Sequence, residues 1–82
     1  MQEIEARIVE ILYEKYGWTR EEIFEKDDFE ALGMDSLSLY SLVEEVEEEF
    51  AIEIDTDDIT EINTPSGLIS YVTKKSGEKN NG

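Results

Sequence analysis

Eighty-two residues, 39% of them hydrophobic, make room for one domain with a single small core, because a short chain buries a small share of its surface. Acidic residues outnumber basic ones 22 to 7, a formal charge of −15, which repels phosphate backbones, excludes nucleic acid as a partner and favours proteins that present Lys and Arg. With no cysteine and no histidine there is no disulfide framework, no thiolate nucleophile and no imidazole base, so an enzyme in its own right is not expected. No hydrophobic run approaches a membrane span, and no signal segment opens the sequence, so a cytoplasmic monomer without membrane contact is expected.

Ile4, Ile8, Ile11 and Leu12 recur at helical spacing and predict a first helix from about Gln2 to Tyr16, stopped by Gly17. Residues 17–35 form a long connection. Within it Thr19-Arg20-Glu21-Glu22 fits a capping box that predicts one helical turn around Arg20–Glu25. Trp18, Phe29 and Leu32 are expected to reach the core from this segment, and connections of this length are often functional.

Gly33 closes the connection, and the stretch to Phe50 predicts a helix of about four turns, capped by Asp35 or Ser36. At about 100° per residue, Leu39, Leu42, Val43, Val46 and Phe50 share one sector, the buried stripe. Leu37 and Tyr40 fall away from it, beside Ser41, Glu44 and Glu48. Two apolar side chains one turn apart on the wet face, next to a serine at a helix start, predict a docking surface.

Ala51-Ile52-Glu53-Ile54 alternates like a strand but has nothing to pair with, so it reads as an extended connector with its isoleucines inward. Asp55 or Thr56 then caps a short helix to about Ile62 that buries Ile59 and Ile62. Thr64-Pro65 restarts the chain as a helix to roughly Lys75 that buries Leu68, Ile69 and Val72, with Lys74 and Lys75 complementing its dipole. Residues 76–82 are polar and expected to fray, leaving 1–75 as the domain. The sum is all-α: a small antiparallel bundle of three longer helices and one short one.

The acidic count invites a calcium loop, but neither register fits. From Asp55 the fifth, sixth and twelfth positions are Ile59, Thr60 and Ser66; from Asp28 the glycine falls correctly, but Leu32 and Leu39 take the fifth and twelfth. No metal site is expected.

Gly33-Met34-Asp35-Ser36-Leu37 resembles the G-x-D-S-L attachment motif of acyl carrier proteins. The similarity extends to the amphipathic first helix, the Leu32-Gly33 before the motif, the Glu47–Phe50 ending of the second long helix, the short acidic helix and the Thr64-Pro65 restart. The resemblance implies 4′-phosphopantetheine, transferred from coenzyme A onto Ser36 by a phosphopantetheinyl transferase, with Asp35 and Leu37 flanking the attachment point. It implies acyl groups carried on the arm as thioesters and delivered to acyl-transferring, ligase or synthase enzymes, in fatty acid or a related specialised biosynthesis. A phosphodiester at a helix N-terminus suits the free N–H groups and the dipole there. Basic partner surfaces would dock on Leu37, Tyr40, Ser41, Glu44, Glu47 and Glu48, the carboxylates steering association. Ser38, Tyr40, Ser41 and Glu44 depart from the fatty acid carriers, which commonly have acidic residues at the serine positions and aliphatic or sulfur-containing ones at the other two. An aminoacyl or polyketide carrier of the same fold therefore stands as an alternative, as does an acidic helical interaction module with no prosthetic group.

Overall fold

The computed structural model describes residues 4–81, with side chains through Gly77. α1 (Ile4–Tyr16) buries Ile8, Ile11 and Leu12, and the Gly17 N–H closes it by donating to the Tyr13 carbonyl at 2.8 Å. The expected start at Gln2 lies outside the described residues.

α2 (Arg20–Lys26) runs one residue past the Arg20–Glu25 span expected from its capping box. The Glu22 N–H donates to Thr19 Oγ1 at 3.3 Å and the Thr19 N–H donates to Glu22 Oε1 at 3.0 Å. Ile23, wholly buried, gives the second turn its tertiary anchor, and Asp27 ends the helix in a left-handed conformation at φ 48°.

From Asp27 to Asp35 the chain has no regular structure but is densely tied. The Phe29 N–H donates to the Asn63 carbonyl at 3.1 Å and the Met34 N–H donates to the Phe29 carbonyl at 2.9 Å. Phe29 and Met34 are both buried, and Leu32 is half-buried. Between them Gly33 sits at φ 103°, where a side chain would be strained even though a Cβ there would meet nothing within 4 Å. Trp18 packs partly buried, its ring stacked on Tyr16 with centroids 4.5 Å apart.

α3 (Ser36–Phe50) turns Leu42, Val43 and Val46 into the core, with Leu39 and Phe50 half-buried beside them. It runs antiparallel to α1, since Arg7 pairs with Glu49, Lys15 with Glu45, and Tyr16 meets Ser38. The connector over 51–54 is extended, with Ile54 buried and Ile52 half-buried.

The short acidic helix is a 3₁₀ helix, η1 (Thr56–Glu61), on which Ile59 is half-buried while Ile62 just beyond is wholly buried. Asp55 occupies its cap position but makes no side-chain capping bond, because the i→i+3 pattern lets the Asp58 N–H use the Asp55 carbonyl instead, at 3.0 Å.

α4 (Pro65–Asn81) opens as its sequence predicts, with Thr64 Oγ1 accepting from the Gly67 N–H at 3.0 Å. Gly67 permits a close approach: a Cβ there would stand 2.2 Å from the Glu61 carbonyl oxygen, so the end of η1 lies directly on the helix. Leu68, Tyr71 and Val72 are buried and Ile69 is half-buried. The helix continues to Asn81, past the end expected near Lys75. Once a helix is nucleated each further residue adds little cost, and Gly77 is the least favourable of these, by about 1 kcal/mol relative to alanine. Lys74 and Lys75 therefore lie inside α4 rather than at its negative end, and Lys75 sits over the Tyr71 ring, 5.5 Å from its centroid.

Among the described residues the architecture is thus all-α, four helices of seven or more residues plus a 3₁₀ turn, with the core between α1, α3 and α4. Among the described residues no helix is long and apolar enough to cross a membrane.

Candidate functional site

The loop's buried ends decide how α3 begins. Met34 is held in the core and tied to Phe29, so the next residue, Asp35, takes extended backbone at φ −100°, ψ −179° and becomes the cap. Its Oδ1 accepts from the Ser38 N–H at 2.8 Å, and its own carbonyl accepts the first helical bond, from the Leu39 N–H at 2.9 Å. That bond from the Ser38 N–H holds the Asp35 carboxyl below the ordinary aspartate range.

Ser36 is consequently the first helical residue and not the cap. Its side chain is exposed. The hydroxyl has no part in satisfying the helix end, so it is available to a reagent from outside. Beside it opens a cavity of about 500 Å³, with Phe29, Met34 and Leu39 as its apolar part and Asp28, Glu30, Asp35 and Asn63 as its polar part. An exposed hydroxyl at the positive end of a helix of four turns, next to a partly apolar recess, fits an arm attached through a phosphodiester.

Leu37 and Tyr40 project into solvent, 81% and 48% exposed, and Ser41, Glu44 and Glu48 are exposed on the same side. Of the five glutamates in this helix, however, three are engaged within the molecule. Glu45 pairs with Lys15 at 3.7 Å, and Glu49 takes a two-point bond from Arg7 at 2.8 and 2.9 Å. Arg7 also pairs with Glu10. Hydrogen bonding from Arg7 lowers the Glu49 carboxyl, and the same contacts raise the guanidinium.

Glu47, expected among the docking residues, directs its carboxylate to the connector: its Oε2 accepts from the Ile54 N–H at 2.7 Å. The connector's extended backbone leaves that donor without a ladder partner, and the half-buried carboxylate supplies one. Glu44 and Glu48, a turn apart, enter none of the described ion pairs, so the exposed stripe is Leu37, Tyr40, Ser41, Glu44 and Glu48.

Two features carried no sequence signal. Asn63 joins the Ser36 cavity only because its carbonyl receives the Phe29 N–H across the fold. A second cavity, about 550 Å³, lies between η1 and α4 around Asp58, Tyr71 and Lys75 and holds none of the residues expected to carry the arm or dock a partner. There the Tyr71 hydroxyl donates to Asp58 Oδ2 at 2.5 Å, and burial above all pushes the phenol up to about 12.

Residues 6–72 match the protein family described as "Phosphopantetheine attachment site". An acyl carrier protein of Buchnera aphidicola is 40% identical over 80 residues, covering 96% of this chain and 100% of that one. One from Thermotoga maritima is 35% identical over 77 residues, covering 93% and 95%. A crystal structure of an acyl carrier protein from Thermotoga maritima superposes with a TM-score of 0.73 at 40% identity, covering 89% of this chain and 86% of that one. With a phosphopantetheine-attachment match across most of its length and relatives of this identity spanning nearly all of it, the chain belongs to the acyl carrier protein family.

Proposed function

We propose that Ser36 carries 4′-phosphopantetheine and that the chain presents acyl groups on that arm to biosynthetic enzymes whose docking surfaces are basic. The observation that carries this reading is the division of labour at the start of α3: Asp35 satisfies the helix end, and the exposed Ser36 hydroxyl satisfies nothing within the site. Asp35 keeps the turn closed and Leu37 flanks the attachment point on the open side. The arm, once bound, supplies a terminal thiol on which an acyl group rides as a thioester.

With no histidine or cysteine in the chain, the transferase provides the base that activates Ser36. The protein holds and presents its cargo and performs no bond-making itself. Leu37 and Tyr40 give a partner an apolar contact, and Glu44 and Glu48 draw lysines and arginines toward it, favouring fast association over tight binding. This reading places the chain in the cytoplasm as a monomer that meets each enzyme in turn.

Intact-mass spectrometry after incubation with coenzyme A and a phosphopantetheinyl transferase tests it. The chain gains one phosphopantetheine mass, fragmentation places it on Ser36, and Ser36→Ala gains none. Attachment elsewhere, or no gain with any transferase, overturns the reading.

A further inference from the structure

We propose that Tyr16 is a positioning residue for the Ser36 hydroxyl, clasping the first turn of α3 from the end of α1. The inference rests on Ser36 being the attachment point. Tyr16 is the last residue of α1, so its ring stands at the helix end, where α1 runs antiparallel into the start of α3. Its hydroxyl donates to the Ser38 carbonyl at 3.4 Å. The Ser38 N–H donates to Asp35 at 2.8 Å, so both backbone groups of the residue two places after Ser36 are engaged by side chains.

The ring is itself held in place. Trp18 stacks on it at an interplanar angle of 21°, and the Lys15 ammonium lies 5.9 Å from its centroid while reaching toward Glu45. Burial first, then the charges of Glu45 and Asp35, raise the phenol above its ordinary value, so it is a protonated donor at neutral pH.

A frayed first turn would offer the Ser36 hydroxyl in many directions, and a transferase would have to order it on binding. The clasp pays that ordering cost in advance. The bond is long and therefore weak, so the effect is local and modest.

Tyr16→Phe removes only the hydroxyl and keeps the stack on Trp18. It is expected to speed hydrogen exchange at the Ser38 and Leu39 amides by about two- to five-fold, the scale of one modest hydrogen bond. The KM of the transferase for the chain rises by a similar factor with kcat unchanged, and the melting midpoint stays within about 4 °C of the unaltered chain. Trp18→Ala, which frees the ring to swing, reproduces both changes, whereas Trp18→Phe, which keeps a stacking partner, does not. Unchanged exchange, faster exchange without a rise in KM, or equal acceleration in every helix overturns the proposal. Should the unaltered chain take no arm on Ser36, the attachment reading fails and the positioning role with it, while exchange in Tyr16→Phe still reports whether the phenol clasps the turn.

Discussion

The starts of α3 and α4 resemble each other in sequence and differ in what their hydroxyls do. Thr64 stands at the cap of α4, half-buried, and its Oγ1 takes the Gly67 N–H at 3.0 Å, with Pro65 buried directly behind it. Thr19 does the same for α2. At α3 the corresponding task falls to the Asp35 carboxylate, and the neighbouring hydroxyl of Ser36 faces solvent. A hydroxyl at a helix end ordinarily tidies that end; here the arrangement spares one. At α4 and α2 the hydroxyl serves the helix end; at α3 a carboxylate serves it, which on the proposed reading leaves the Ser36 hydroxyl accessible for modification.

The contrast is broken most severely at Ser36. Ser36→Ala abolishes phosphopantetheinylation while unfolding free energy, read by urea titration, moves by no more than about 0.5 kcal/mol, since no cap is lost. A marked destabilisation would show that the hydroxyl has a structural task after all. Next in size is the charge on the exposed stripe. Reversing Glu44 and Glu48 together to lysine slows association with the transferase by about ten-fold or more at low salt, read by stopped flow, and flattens the ionic-strength dependence.

Thr64→Ala supplies the mirror experiment. It leaves Ser36 modification intact and costs about 1 kcal/mol of stability in the same urea titration, where Ser36→Ala costs little. The smallest effect concerns the cap of α3. Its carboxyl is lower in the folded chain than its ordinary value because the Ser38 N–H donates to it. Its contribution is therefore complete above the ordinary aspartate range and is lost as pH falls through the depressed folded value. The Ser38 amide resonance follows that titration, the Gly67 amide, held by a hydroxyl, shows no titration from its cap, and Asp35→Asn keeps the cap but removes the response at Ser38.

Local rules read much of this molecule correctly from the sequence. The phases of Ile8, Ile11 and Leu12 and of Leu42, Val43 and Val46, the capping box at Thr19 and the Thr64-Pro65 restart depend on neighbours within a few positions, so they are legible without a partner. The exposure of Leu37 and Tyr40 followed from the same periodicity. The extent of α4 was less legible: composition marked where apolar content ends, but hydrogen bonding along a helix does not require it.

The amino-acid order by itself determined an all-helical acidic domain, the position of Ser36 at the head of its longest amphipathic stripe, and the apolar pair beside it. Tertiary structure alone decided which of Asp35 and Ser36 caps, because that choice follows from where buried Met34 delivers the chain. It decided too which glutamates face partners, since Glu45 and Glu49 meet cations from α1 and Glu47 meets a connector amide seven residues on. The pattern along a helix is set by bonds a few residues long, whereas the fate of each charged group depends on which distant segment packing brings against it.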